Sequence, residues 1–180
     1  MKKNNLSKAI HLKNLCTSYN HFQMLALDQR PPIFNIISQT TKKKPTYDEV
    51  VKFKKLICSN LSHLSSAALM DPYYSIPTIL NDNKSKGLII TLEDHDFIET
   101  KKGRYSRNIS NWSVEKIKKI GGDAVKVLVW YRPDAEKKSR DHQKKYIEKI
   151  GNECVKFGIP FLLELLVYPL KNDEHHTTEY

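Results

Sequence analysis

Five short apolar runs constrain this chain more than any other feature: Phe22 to Leu27, Ala67 to Met70, Gly87 to Leu92, Ala124 to Tyr131 and Pro160 to Tyr168. They are apolar at successive rather than alternate positions, the pattern of strands buried on both faces. Between them, apolar residues recur every three or four positions. Thr46, Tyr47, Asp48 and Glu49 form a capping box, and Val50, Phe53, Ile57 and Leu61 follow on one predicted helical face. A second predicted helix carries Val114, Ile117 and Ile120 from Ser113 to a stop at Gly121–Gly122. A third places Ile147, Ile150, Cys154 and Phe157 on one face before Gly158. Doubly buried strands alternating with amphipathic helices predict a parallel sheet covered by helices, because right-handed crossovers put the helices outside.

Two α/β architectures meet that description, an open doubly wound sheet and a (β/α)₈ TIM barrel. The first strand is followed by Asp28-Gln29-Arg30-Pro31-Pro32, read as a loop without the glycines of a phosphate-binding turn. Acidic residues also gather at strand C-termini (Asp28, Asp71, Glu93), the end where barrels build active sites, so the barrel is the expected fold. A complete one needs about 250 residues and eight strands. The expectation is therefore a truncated barrel of about strands one to five. Its parts are a helical lead-in over 1–21, the partial barrel over 22–168 and a polar tail over 169–180.

The 180 residues carry 30 Lys plus Arg against 20 Asp plus Glu, a net charge of +10. Lysines dominate the basic residues and are dispersed through the chain, which argues for solvated surface rather than a nucleic-acid interface. The Lys42-Lys43-Lys44 run reads the same way. Three widely separated cysteines, Cys16, Cys58 and Cys154, make neither a disulfide framework nor a zinc site. With no export signal and no apolar run of about 20 residues, a soluble cytoplasmic protein without membrane or nucleic-acid partners is expected.

Two charges interrupt the apolar runs. Lys126 sits in Ala-Val-Lys-Val-Leu-Val-Trp, where an ammonium needs a partner or a depressed pKa, and Glu164 sits in Phe-Leu-Leu-Glu-Leu-Leu. Buried charges of opposite sign on successive strands suggest a site in which each offsets the other. Asp28 and Gln29 end the first strand, where a carboxylate and an amide could orient substrate hydroxyls or cap a turn. Asp71, before Pro72, reads equally as turn-forming. His175–His176 lacks patterned partners and reads as surface, so no metal or cofactor is expected.

These segments, in order, resemble the class I tagatose-1,6-bisphosphate aldolase family. The resemblance is carried by Leu25-Ala26-Leu27-Asp28-Gln29-Arg30, by Leu69 to Pro77, by Trp112 to Lys118, by Asp123-Ala124-Val125-Lys126, by Tyr146 to Cys154 and by Ile159 to Leu165. It implies a TIM barrel that cleaves a ketose bisphosphate to dihydroxyacetone phosphate and glyceraldehyde 3-phosphate through a lysine Schiff base, without metal. Carried over by motif, Asp28 and Gln29 would contact the phosphorylated sugar, Lys126 would be the active-site lysine of the fourth strand, and Glu164 the acid/base of the fifth. The family's imine lysine belongs to the sixth strand and its phosphate-binding residues to the last two loops, segments this chain does not contain. The resemblance thus implies a chain inactive alone and completed by a missing C-terminal half-barrel or by homo-oligomerisation. The competing expectation is a non-catalytic module that binds phosphorylated ligands or another chain through its basic surface.

Overall fold

A computed structural model describes residues 3–169; positions 170–180, including His175–His176 and nearly all of the predicted tail, lie outside the described residues. Five parallel strands, β1 (Met24–Leu27), β2 (Ala67–Met70), β3 (Gly87–Thr91), β6 (Ala124–Trp130) and β7 (Phe161–Leu166), form one sheet in the order β1-β2-β3-β6-β7. A separate antiparallel hairpin, β4 (Ile98–Thr100) and β5 (Gly103–Tyr105), is inserted between β3 and β6. Consecutive parallel neighbours joined by helical crossovers make the first five strands of a barrel, open between β7 and β1.

Helices α2 (Pro31–Thr41), α3 (Tyr47–Leu61), α4 (Ile76–Asn81), α5 (Val114–Lys119) and α6 (Lys137–Phe157) provide the crossovers. The outward strand residues Leu27, Met70, Ile90, Val125, Val127 and Val129 belong to the main core. The inward ones, Ala67, Leu69, Ile89 and Ala124, make a smaller cluster closed by Leu15 of α1 (Lys3–Leu15). Asp123 ties that helix to the sheet by accepting from Asn14 Nδ2 at 2.9 Å and the Leu88 N–H at 3.0 Å, with His11 Nδ1 at 2.9 Å.

The predicted capping box at Thr46 and Glu49 is present, and Gly158 ends α6 in the left-handed region at φ 61°. Three details differ from the sequence reading. Pro31–Pro32 open a helix, because a proline's missing N–H costs nothing in the first turn and its fixed φ suits it. The buried stripe of α3 is Val50, Lys54 and Cys58, with Leu61 exposed, so the helix is rotated from the predicted face around a charged residue. The β4–β5 hairpin, which the sequence reading does not include, turns at Lys101–Lys102, with its glycine, Gly103, opening β5 rather than lying in the turn.

Candidate active site

Residues two apart on a strand share a face, so the inner wall is set by strand register. Asp28 and Glu93 lie just beyond the C-terminal ends of β1 and β3, Lys126 lies within β6, and Glu164 lies in β7, level with Leu128 in the β6–β7 register. Lys126 Nζ donates to Asp28 Oδ2 at 2.8 Å and to Glu93 Oε1 at 3.3 Å, and it pairs with Glu164 Oε2 at 2.9 Å. Three carboxylates from three strands thus surround one ammonium.

Burial pulls the Lys126 pKa down, but Glu93, Asp28 and Glu164 together outweigh it and hold the group above its usual 10.5. Of the two ways to bury an ammonium left open by the sequence, the chain uses partners. Glu93 is displaced upward from 4.5, chiefly by burial, which Lys126 and the Thr91 hydroxyl at 2.5 Å only partly oppose. Burial thus disfavours the charge on Glu93 even with Lys126 beside it. Sequence reasoning noted Glu93 only as one of several acidic strand ends; its two-residue step from Thr91 and four-residue step from Ile89 was the signal that it faces inward.

Glu164 corrects an expectation. It was expected to be buried, yet its side chain is 45% exposed against 4% for Lys126, because β7 is the edge of the described sheet and only β6 flanks it. Gln29 is exposed at the rim of a cavity of about 310 Å³ that Asp28, Glu93, Lys126 and Glu164 also line. Asp28 binds Lys126 across the sheet. Asp71 does form the Pro72 turn, its Oδ1 accepting from the N–H groups of Tyr73 at 2.8 Å and Tyr74 at 2.9 Å, and it is buried outside the cavity lining.

Two further basic side chains lie beside the cluster. Arg30, buried, donates from Nη2 to the Glu93 carbonyl at 3.2 Å. His95 lines the rim, its pKa lowered by burial and by Arg30. Among the described residues, no group of three or more His, Cys, Asp or Glu has the arrangement of a metal site. Among the same residues, no helix is long and apolar enough to cross a membrane.

Residues 22–179 match the model of the DeoC/LacD family of aldolases. The chain belongs to that family. It is similar to tagatose 1,6-diphosphate aldolase 1 of Enterococcus faecalis, 33% identical over 180 residues, covering 100% of this chain and 55% of the relative. It is also similar to the Streptococcus pneumoniae tagatose 1,6-diphosphate aldolase, 32% identical over 173 residues, covering 96% and 53%. The chain spans about half the length of these curated relatives. In fold it matches the Plasmodium falciparum fructose-bisphosphate aldolase at TM-score 0.68 and 11% identity, over 93% of this chain and 53% of that one. A Schiff base-forming fructose-1,6-bisphosphate aldolase matches at TM-score 0.54 and 14% identity, over 87% and 56%. The aldolase barrel expected from the sequence is the fold the chain has, as its first five strands.

Proposed function

We propose that this chain is the N-terminal half-site of a Schiff-base aldolase cleaving tagatose 1,6-bisphosphate, or a related ketose phosphate, to dihydroxyacetone phosphate and glyceraldehyde 3-phosphate. The observation that carries this is the contact of Lys126 with Asp28, Glu93 and Glu164 at the catalytic end of an aldolase-type sheet. In this reading an imine lysine from outside the described sheet attacks the ketose carbonyl and water leaves. A base removes the proton of the C4 hydroxyl, the C3–C4 bond breaks, and its electron pair reaches the imine nitrogen. The aldehyde departs, and protonation of C3 and hydrolysis release the second product.

The part-exposed end of Glu164 suits it to proton transfer at the carbinolamine and the C4 hydroxyl, while its pairing with Lys126 keeps it near the reacting atoms. Lys126 stays charged, a state that disfavours a second ammonium close by and so favours a neutral nucleophilic amine. Asp28 and Gln29 receive substrate hydroxyls. The chain needs the remaining barrel strands, supplied in another polypeptide segment, to turn over, and it works in the cytoplasm without metal.

The test is co-expression with the C-terminal portion of the Enterococcus faecalis relative. The complex should cleave tagatose 1,6-bisphosphate, and borohydride should trap an adduct on that portion. The 180-residue chain alone should give no stoichiometric adduct; one mapped to Lys126 would make Lys126 the nucleophile and overturn the assignment.

A further inference from the structure

The cavity has a second, apolar wall that the aldolase reading leaves without a task. Phe97, between β3 and β4, and Trp130, the last residue of β6, line it beside Leu128. The two ring centroids lie 5.8 Å apart, and Tyr168 meets Trp130 edge-on at 6.2 Å. Arg104, on the hairpin, stacks its guanidinium on all three rings, 4.8 Å from Phe97, 4.6 Å from Trp130 and 4.7 Å from Tyr168. Its Nε donates to Glu99 at 2.6 Å.

The hairpin holding Arg104 is itself fixed. The Arg104 N–H donates to Tyr168 Oη at 3.1 Å, Ser139 Oγ donates to the Arg104 carbonyl at 3.1 Å, and Tyr105 Oη donates to Glu136 at 2.7 Å. Aromatic rings have few rotamers to lose, and a cation against their faces restrains them further, so this wall is ordered before any ligand arrives. A polyol chain has hydroxyls on one side and C–H groups on another. Asp28, Gln29 and Glu164 suit the hydroxyls; the C–H groups require an apolar surface.

We propose that Phe97 and Trp130, clamped by Arg104, form a platform for the C–H face of the ketose carbon chain and so select which hydroxyl configuration the site accepts. This rests on the aldolase reading for its ligand. Arg104 is a positioning residue, acting through the rings.

The chain has two tryptophans, and Trp112 packs against the main core, so Trp112→Phe leaves Trp130 as the sole indole reporter. Titration of that variant with tagatose 1,6-bisphosphate should shift Trp130 emission saturably. Affinity by calorimetry should fall about tenfold in Trp130→Leu and in Phe97→Leu, as lost apolar contact implies. Arg104→Gln should weaken binding similarly and flatten the near-ultraviolet circular dichroism of ligand-free Trp130, with Arg104→Lys restoring both. The preference for the tagatose over the fructose bisphosphate, its C4 epimer, should shrink in the same variants. Unchanged affinity in folded Trp130→Leu and Phe97→Leu, or no binding by the chain, overturns the platform. Failure of the co-expressed complex to cleave the ketose instead overturns the aldolase reading, while Trp130-dependent binding would still support the platform.

Discussion

Lys54 Nζ donates to the carbonyl oxygen of Leu27 at 2.8 Å, one residue before Asp28. The ammonium is fully buried on α3 and also pairs with Asp71, whose Oδ2 accepts from Ser75 Oγ at 2.9 Å. Burial lowers the Lys54 pKa against the pull of Asp71. One helical side chain thus ties together the ends of β1 and β2 and fixes where the Asp28 turn begins.

Removing that tie should be costly. Lys54→Met would leave Asp71 buried without its cation, a loss of about 3–5 kcal/mol in urea denaturation. Lys54→Met with Asp71→Asn should recover part of it, since no lone charge remains. A single-variant loss under about 1 kcal/mol would show that the pair is dispensable.

The raised Glu93 pKa predicts a specific pH dependence. Between its ordinary value of 4.5 and its higher folded value, the folded chain holds a proton the unfolded chain has released. Stability from this group is therefore full below pH 4.5 and declines as pH rises through the folded value. Glu93→Gln cannot ionise, so its thermal midpoint should gain on the natural chain as pH increases from 5 to 8. A constant offset across that range would contradict the shift.

For Glu164, a catalytic role and a structural one predict different outcomes. Its side chain is 45% exposed, and Asp28 and Glu93 remain on Lys126 without it. Glu164→Gln should leave the thermal midpoint nearly unchanged while lowering kcat of the co-expressed barrel by about 10²–10⁴-fold, as for a lost acid/base. Unchanged turnover would remove Glu164 from the mechanism.

The described edge strand should associate. Along β7 and just beyond it, Leu163, Leu165 and Val167 are 39%, 54% and 57% exposed beside an unpaired strand edge. Sedimentation of the 180-residue chain should show concentration-dependent self-association, reduced by Leu163→Lys with Leu165→Lys and suppressed by the relative's C-terminal portion. A sharply melting monomer indifferent to that portion would contradict this and favour a self-contained binding module.

What could be read from the sequence followed burial. The apolar runs around Lys126 and Glu164, the Thr46 cap and the Gly158 stop all express local chemistry that tertiary packing reinforces. The helix opened by Pro31–Pro32 is hidden in the sequence because proline ends a strand and can also begin a helix, and only the second meaning applies here. Lys54 was passed over although it stands four residues from both Val50 and Cys58, a charge on an otherwise buried stripe. The exposure of Glu164 depended on how many neighbours its strand has, a property of the sheet rather than of the apolar run.

Tyr168 gives the clamp on Arg104 a consequence for synthesis. The hydrogen bond joining them spans 64 residues, so the hairpin leaves the ribosome well before the side chain that secures it. Asp28, Glu93 and Lys126 are all available once β6 has emerged, whereas the aromatic wall waits for the residues after β7. During elongation the nascent chain can assemble its charge cluster first and acquire a shaped cavity last.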